Sequence, residues 1–198
     1  MFAKRLFDLV FVIPGLIILS PVFLVVGFLI KSKDGGSIFF KQTRVGKEGK
    51  HFKVLKFRTM VVDAEKLGAK VTTGNDPRIT PVGAFLRKYK LDELPQLLNV
   101  LIGNMSLVGP RPEVPEYVEF YPQETKDIIF SVHPGITDTA SIEFVNENEL
   151  LTDSKDPIED YKNKVLPIKL GYSMDYVKTR SLWVDFKLIL KTVSAIVA

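Results

Sequence analysis

The sequence predicts an α+β domain, mostly helical with a small β-hairpin, carried on one hydrophobic N-terminal segment. Three observations lead to this expectation. From Leu9 to Ile30, 22 consecutive residues lack a charge, and nothing comparable follows in the 198-residue chain. Two short runs, Ser37–Gln42 and His51–Phe57, flank Val45-Gly46-Lys47-Glu48-Gly49, which reads as a hairpin. Apolar residues at 91, 94, 97, 98 and 101, and again at 183, 186, 190, 193 and 197, recur close to helical spacing. The length suits one domain, and 25% charged residues exclude a disordered polymer or a collagen-like repeat. Cysteine is absent, which removes disulfides, thiolate metal sites and a cysteine nucleophile.

The uncharged run would reach about 33 Å as a straight helix, close to the hydrocarbon thickness of a bilayer. It is too long for the apolar core of a signal peptide. Two readings stay open. A spanning helix fits the length. A re-entrant segment fits the Ser20-Pro21 pair near its middle, because a mid-helix proline deletes one backbone bond and kinks the chain. Ser20 could offer its hydroxyl to the freed carbonyl. Lys4 and Arg5 on one flank and Lys31 and Lys33 on the other give no bias to either side, as a segment that enters and leaves on one face would show.

The remaining elements follow in order. Val62–Ala69 is helical in pattern, and Thr72–Thr80 is a loop broken by Gly74, Asn75 and Pro77. Pro81–Tyr89 opens a helix on a proline, and Leu91–Leu101 carries the first apolar stripe. Pro112–Tyr121 is loop or short helix. Leu182–Val197 is a helix with polar Asp185, Lys187 and Lys191, suited either to the core or to a membrane interface. Charge is unevenly divided: residues 31–90 carry a net +10 and residues 91–198 a net −7. A basic block just after an apolar anchor points to anionic membrane lipids and a phosphate-bearing substrate. Nucleic acid is disfavoured as a partner by the anchor.

Asp92 and Glu93 are the first candidates for chemistry. Their position at the start of a helix also suits a cap and the positive end of the helix dipole. Adjacent residues point in different directions, so one carboxylate could attack phosphorus while the other holds a metal or a neighbour. Arg111 lies between Pro110 and Pro112, which stiffen its backbone and lower the entropy lost when it binds phosphate. Lys56 and Arg58 flank Phe57, and Arg78 and Arg87 flank the loop and helix before the acidic pair. His51 and His133 show no metal-ligand spacing, and no nucleotide-binding glycine loop or serine elbow is present.

Together these stretches resemble the bacterial sugar transferase family, the monotopic polyprenyl-phosphate sugar-1-phosphate transferases. The matching residues run in order through Ser20-Pro21, Gln42-x-Arg44-x-Gly46, Lys56-Phe57-Arg58-Thr59-Met60 and Asp76-Pro77-Arg78-Ile79-Thr80-Pro81-Val82-Gly83. They continue through Leu91-Asp92-Glu93-Leu94-Pro95-Gln96-Leu97, Met105-Ser106-Leu107-Val108-Gly109-Pro110-Arg111-Pro112 and Pro134-Gly135-Ile136-Thr137. The resemblance implies transfer of a sugar phosphate from a UDP-sugar to polyprenyl phosphate, with release of UMP. Asp92 would form a phosphosugar–enzyme intermediate, Glu93 would assist through Mg²⁺ and positioning, and Arg111 would bind phosphate. Asp92 and Glu93 would be the metal ligands. The resemblance also implies a re-entrant helix broken at Ser20-Pro21 over residues 1–32, and a catalytic domain over 33–198 on the cytoplasmic face of the bacterial inner membrane. Besides the UDP-sugar, polyprenyl phosphate and anionic lipids, a second copy in a homodimer is an open partner.

The chain departs from the family pattern at three places. Asp138-Thr139-Ala140-Ser141 stands where Gly and then Ala-Gln are common, Ser173 replaces a usual Asp with Asp175 two positions on, and Lys90 precedes Leu91 in place of Ser or Thr. Two rival functions remain: a membrane-anchored interaction module without catalysis, and a metal-dependent glycosyltransferase that releases UDP. The second usually carries an Asp-x-Asp motif in a nucleotide-binding domain, and the sequence has none.

Overall fold

The computed structural model describes residues 2–64, 76–143, 159 and 161–197. Helix α1 (Phe2–Asp34) runs 33 residues without interruption, about 50 Å at 1.5 Å per residue. Pro21 has no N–H for the Ile17 carbonyl four residues back. The Ser20 hydroxyl donates to that carbonyl instead, at 2.8 Å. The break expected at Ser20-Pro21 is therefore no gap in the helix: one side-chain bond replaces one backbone bond, and helical geometry continues through the proline.

One face of α1 packs on the domain along its length. Val12 and Leu16 meet Val54, Val100 and Met105, while Val22, Phe23, Val26 and Ile30 meet Phe57 and Leu86. The ends are tied as well. Arg5 donates to the Leu101 carbonyl at 2.8 Å, and Asp34 accepts from Arg58 at 2.7 Å. The opposite face is apolar and exposed from Phe2 through Leu6, Val10, Ile13, Ile17 and Leu24 to Phe28. By length and composition α1 could cross a membrane.

Strands β1 (Phe39–Val45) and β2 (His51–Phe57) form the expected hairpin, antiparallel with Phe39 opposite Phe57 and Val45 opposite His51. A 3₁₀ turn at Lys47–Gly49 closes it, with Glu48 in the left-handed region. Helix α2 (Pro81–Lys88) starts where Thr80 Oγ1 accepts from the Gly83 N–H at 2.9 Å, a standard N-cap. The stripe read as one helix over Leu91–Leu101 is split. Leu91–Glu93 is a 3₁₀ turn, and α3 runs Gln96–Leu101. Pro95 explains the division, because it cannot return an α-helical bond to the Leu91 carbonyl, which accepts from Leu94 at 3.2 Å instead. Of the helix expected at Val62–Ala69, residues 65–69 lie outside the described residues, Val62 and Asp63 are turn, and Ala64 is 3₁₀.

A second sheet was not legible in the sequence. Strand β3 (Ser106–Val108) pairs in parallel with β4 (Gly135–Thr137). Between them lie α4 (Pro115–Val118) and α5 (Gln123–Ile129). Helix α6 (Thr139–Glu143) follows β4, and a π turn at Tyr161–Val165 leads into α7 (Leu166–Thr179) and α8 (Leu182–Val197). In α8, Trp183, Leu190 and Val193 face outward while Leu188 is buried. Asp185, expected on the polar side, is buried too. Its Oδ2 lies 2.9 Å from Lys4 Nζ, which also holds Asp8 at 2.9 Å, and its Oδ1 accepts from the Tyr176 hydroxyl at 2.7 Å. This cluster fastens the start of α1 to α7 and α8.

The β3–β4 pair depends on two glycines in close contact. A Cβ on Gly135 would stand 2.1 Å from the Gly109 nitrogen, and one on Gly109 would stand 2.5 Å from the His133 carbonyl oxygen. Gly135→Ala should lower stability by about 2–3 kcal/mol or more. Gly15→Ala, where a Cβ meets nothing within 4 Å, should cost nothing. Thermal unfolding of the full-length protein in the same detergent compares them.

Candidate active site

An open cleft of about 1720 Å³ gathers every site residue read from the sequence outside α1. Lys56, Arg58, Arg78, Arg87, Asp92, Glu93 and Arg111 all line it, whereas Ser20 and Pro21 do not. Among its described lining residues are ten Lys or Arg side chains and four carboxylates. The +10 block thus becomes a positive trough suited to anions.

The local fold explains the convergence. Asn99, buried on α3, donates to the Lys53 carbonyl at 2.7 Å and accepts from the Leu55 N–H at 2.9 Å. That clamp sets β2 against the 3₁₀ turn and brings Lys56 to Glu93. After β2, Val61 donates to the Arg78 carbonyl and Thr80 to the Thr59 carbonyl, both at 3.0 Å, so the Arg78 segment runs beside the Thr59 segment. Lys90, just before the acidic pair, sits at φ 54°, a left-handed geometry that is uncommon for a residue with a Cβ.

The two carboxylates have different environments. Glu93 Oε1 accepts from Lys56 Nζ at 2.6 Å and from Arg111 Nη2 at 2.7 Å, and its Oε2 accepts from Arg111 Nη1 at 3.3 Å. Burial opposes ionisation of Glu93, but the charges and hydrogen bonds of Arg111 and Lys56 together outweigh it, holding this carboxyl well below the usual range. Asp92 makes no hydrogen bond or ion pair with another side chain among the described residues. Burial raises its pKa, with Glu93 adding to the rise while Lys56, Arg87 and Lys90 oppose it. Neither side chain caps a helix, so the structural role open in the sequence does not account for them.

The remaining cations are arranged around this pair. Arg87 Nε donates to Thr59 Oγ1 at 2.9 Å. Burial lowers its pKa, and the charges of Asp92 and Asp76 counter that effect. Arg58 and Arg78 line the cleft but are bound to carboxylates. Arg58 holds Asp34 and donates to the Ser37 carbonyl at 2.7 Å. Arg78 Nε holds Asp76 at 2.9 Å and pushes its pKa down to about 2. A phosphate would have to compete with those partners.

Sequence reasoning assigned no role to Arg44 or Asn99. Arg44 grips Gln42 at 2.7 Å and the Pro112 carbonyl at 3.0 Å, with Glu113 at 3.6 Å. It thereby fixes the segment after Arg111. The Gln42-x-Arg44-x-Gly46 spacing was the available signal; Asn99 left none beyond a polar residue in an apolar stripe. Asp175 is exposed on α7 and does not line the cleft.

As a Mg²⁺ site, the pair is unequal. Mg²⁺ commonly binds one or two carboxylates together with substrate phosphates and water. Asp92 fits as a protein ligand of that kind. Glu93, expected as a second ligand, would first have to release Lys56 or Arg111. Among the described residues no cluster of three or more His, Asp or Glu side chains could hold a metal.

These environments set opposite pH signatures. Asp92 has a raised pKa, so its ionised form weakens the fold at neutral pH. Asp92→Asn should raise the melting temperature near pH 7, with the gain fading as pH falls below about 4, where the unfolded carboxyl is also protonated. Glu93 has a depressed pKa, so its contribution is present above the unfolded value and is lost as pH drops through the folded one. Glu93→Gln should cost about 2–3 kcal/mol at pH 7 by leaving two cations uncompensated. Thermal unfolding followed from about pH 2 to pH 8 checks both.

Comparison with known proteins agrees with this arrangement. The profile of the family described as bacterial sugar transferase matches residues 1–198. The exopolysaccharide production protein ExoY of Sinorhizobium fredii is 37% identical over 98% of this chain and 85% of its own length. The UDP-glucose:undecaprenyl-phosphate glucose-1-phosphate transferase of Escherichia coli is 38% identical over 96% of this chain, which covers 39% of that longer protein. The putative undecaprenyl-phosphate N-acetylgalactosaminyl 1-phosphate transferase of Bacillus subtilis is 48% identical over 61% of this chain and 68% of its own length. The cleft, its acidic pair and these likenesses lead to one conclusion: the chain belongs to the bacterial sugar transferase family.

Proposed function

We propose that the protein transfers a sugar-1-phosphate from a UDP-sugar to polyprenyl phosphate and releases UMP. The observation that carries this reading is the contrast between Asp92, half-buried in a cationic cleft and without a side-chain partner among the described residues, and Glu93, held between Lys56 and Arg111. The names of the E. coli and B. subtilis relatives support the same reaction class.

In the first step an Asp92 Oδ attacks the phosphorus that bears the sugar. The P–O bond to UMP breaks, UMP leaves with that electron pair, and an aspartyl phosphosugar forms. In the second step an oxygen of polyprenyl phosphate attacks the same phosphorus, and the Asp92 carboxylate leaves. Each step brings anions together, so stabilisation depends on positioned cations. Arg111 and Lys56, fixed by Glu93, have donors free to meet phosphate oxygens, and Arg87 adds charge beside Asp92. Mg²⁺ bound by Asp92 and substrate phosphates would supply further neutralisation of charge.

The placement of α1 favours an anchor held on one side of the bilayer, as the re-entrant reading requires, over a spanning one, although the helix itself is unbroken. A spanning helix would put its ends on opposite sides of the bilayer. Here both ends are bonded to the same domain, and the exposed apolar stripe faces away from it along the whole helix. With the cleft on the cytoplasmic face of the inner membrane, such an anchor keeps the reaction level with lipid headgroups, where the basic residues meet anionic lipids.

Purified full-length protein given UDP-sugars, polyprenyl phosphate and Mg²⁺ should release UMP, and Asp92→Asn should reduce the rate at least about a thousandfold. UDP as the product, or equal UMP release by the variant, contradicts the mechanism. A tag ahead of Lys4 should be accessible from the cytoplasm; exclusive periplasmic access would rule out the re-entrant anchor.

A further inference from the structure

The reaction proposed above makes no use of Asp138, yet this carboxylate is almost fully buried, at 1% exposure. A carboxylate in such a place is costly unless its oxygens are occupied. Both are. Oδ1 accepts from the Ser141 N–H at 2.7 Å, which caps α6, and Oδ2 accepts from the Arg111 N–H at 3.3 Å.

The second bond matters because of the loop it reaches. Gly109-Pro110-Arg111-Pro112 has only two backbone N–H groups, since proline has none. The Gly109 N–H donates to the Thr137 carbonyl at 3.1 Å. The Arg111 N–H goes to Asp138. The loop's carbonyls are held from neighbouring elements as well: Gly135 donates to Pro110 at 3.0 Å, and Arg44 to Pro112 at 3.0 Å. Among the described residues Asp138 thus supplies the one bond made at Arg111's own backbone, and it does so from the residue that joins β4 to α6.

We propose that Asp138 is a positioning residue for Arg111, fixing the backbone from which the guanidinium reaches Glu93 and the substrate phosphate. The inference rests on the phosphate-binding role proposed for Arg111. The charge of Asp138 acts in the same sense. Arg111 holds its proton more firmly chiefly because of Glu93, with Asp138 and Glu113 contributing after it.

Asp138→Asn separates positioning from capping. Asparagine is as good a helix cap as aspartate, but it has a single acceptor oxygen. With that oxygen on Ser141, an N–H₂ group faces the Arg111 N–H. The full-length protein in detergent is compared by hydrogen exchange at the Arg111 amide, by UMP release, and by melting temperature. Asp138→Asn should speed exchange at Arg111 about tenfold or more and lower kcat/KM about tenfold, with a smaller fall in melting temperature than Asp138→Ala because the cap on α6 is kept. In an Arg111→Ala background it should bring no further fall in kcat/KM, because it acts through that side chain. Asp138→Ala, which loses both bonds, should lower the melting temperature as well.

Unchanged exchange at Arg111 in Asp138→Asn overturns the proposal, and so does a loss that multiplies with that of Arg111→Ala. Absence of UMP release by the unmodified protein overturns the reading of function instead. The exchange measurement then still decides whether Asp138 holds Arg111.

Discussion

The ion triad of Lys56, Glu93 and Arg111 is the interaction on which the site depends. Each member comes from a different part of the fold: β2, the 3₁₀ turn before α3, and the loop after β3. Two cations brought this close repel one another and would separate in water. Glu93 offsets that repulsion and sets their spacing, leaving Asp92 as the carboxylate of the pair that no side chain claims among the described residues. A change that loosened β2, the turn or the loop would disturb all three charges together. This is why Asn99, Arg44 and the paired glycines matter: they hold these three parts together.

The fold meets this need with little regular structure. Two sheets of two strands and several short helices are stitched by side-chain-to-backbone bonds where longer elements would use ladders. Helix α1 supplies much of the apolar surface that the small domain lacks. Its inner face completes the packing around Phe57, Leu86 and Val100. The anchor is part of the core, and the start of α1 is further fastened through Lys4, Asp8 and Asp185.

Much of this was legible in the residues. The hairpin followed from two short runs around a glycine turn, α2 from its opening proline, α8 from spacing, and the apolar segment from its missing charges. The seven residues singled out by type in the sequence outside α1 all line the cleft. What was not legible depends on contacts far apart in sequence. Three-residue strands such as β3 and β4 carry no period to detect. The burial of Asp185 depends on Lys4, 181 positions earlier. The division of labour between Asp92 and Glu93 could not be read either, because adjacent acids look alike until Lys56 and Arg111 select one. At Ser20-Pro21 the proline was a sound signal of disturbance, but the hydroxyl beside it repaired the helix locally.

The contact between Gly109 and Gly135 has a consequence for how such a site can diversify. Backbone packed on backbone leaves no side chain at that contact through which a substitution could push the Arg111 loop. The cleft wall formed by α6 and α8 is free of that constraint. Exposed residues there can change in size or polarity while Arg111 stays where it is. One part of the cleft is thus insulated from drift, and the other can vary.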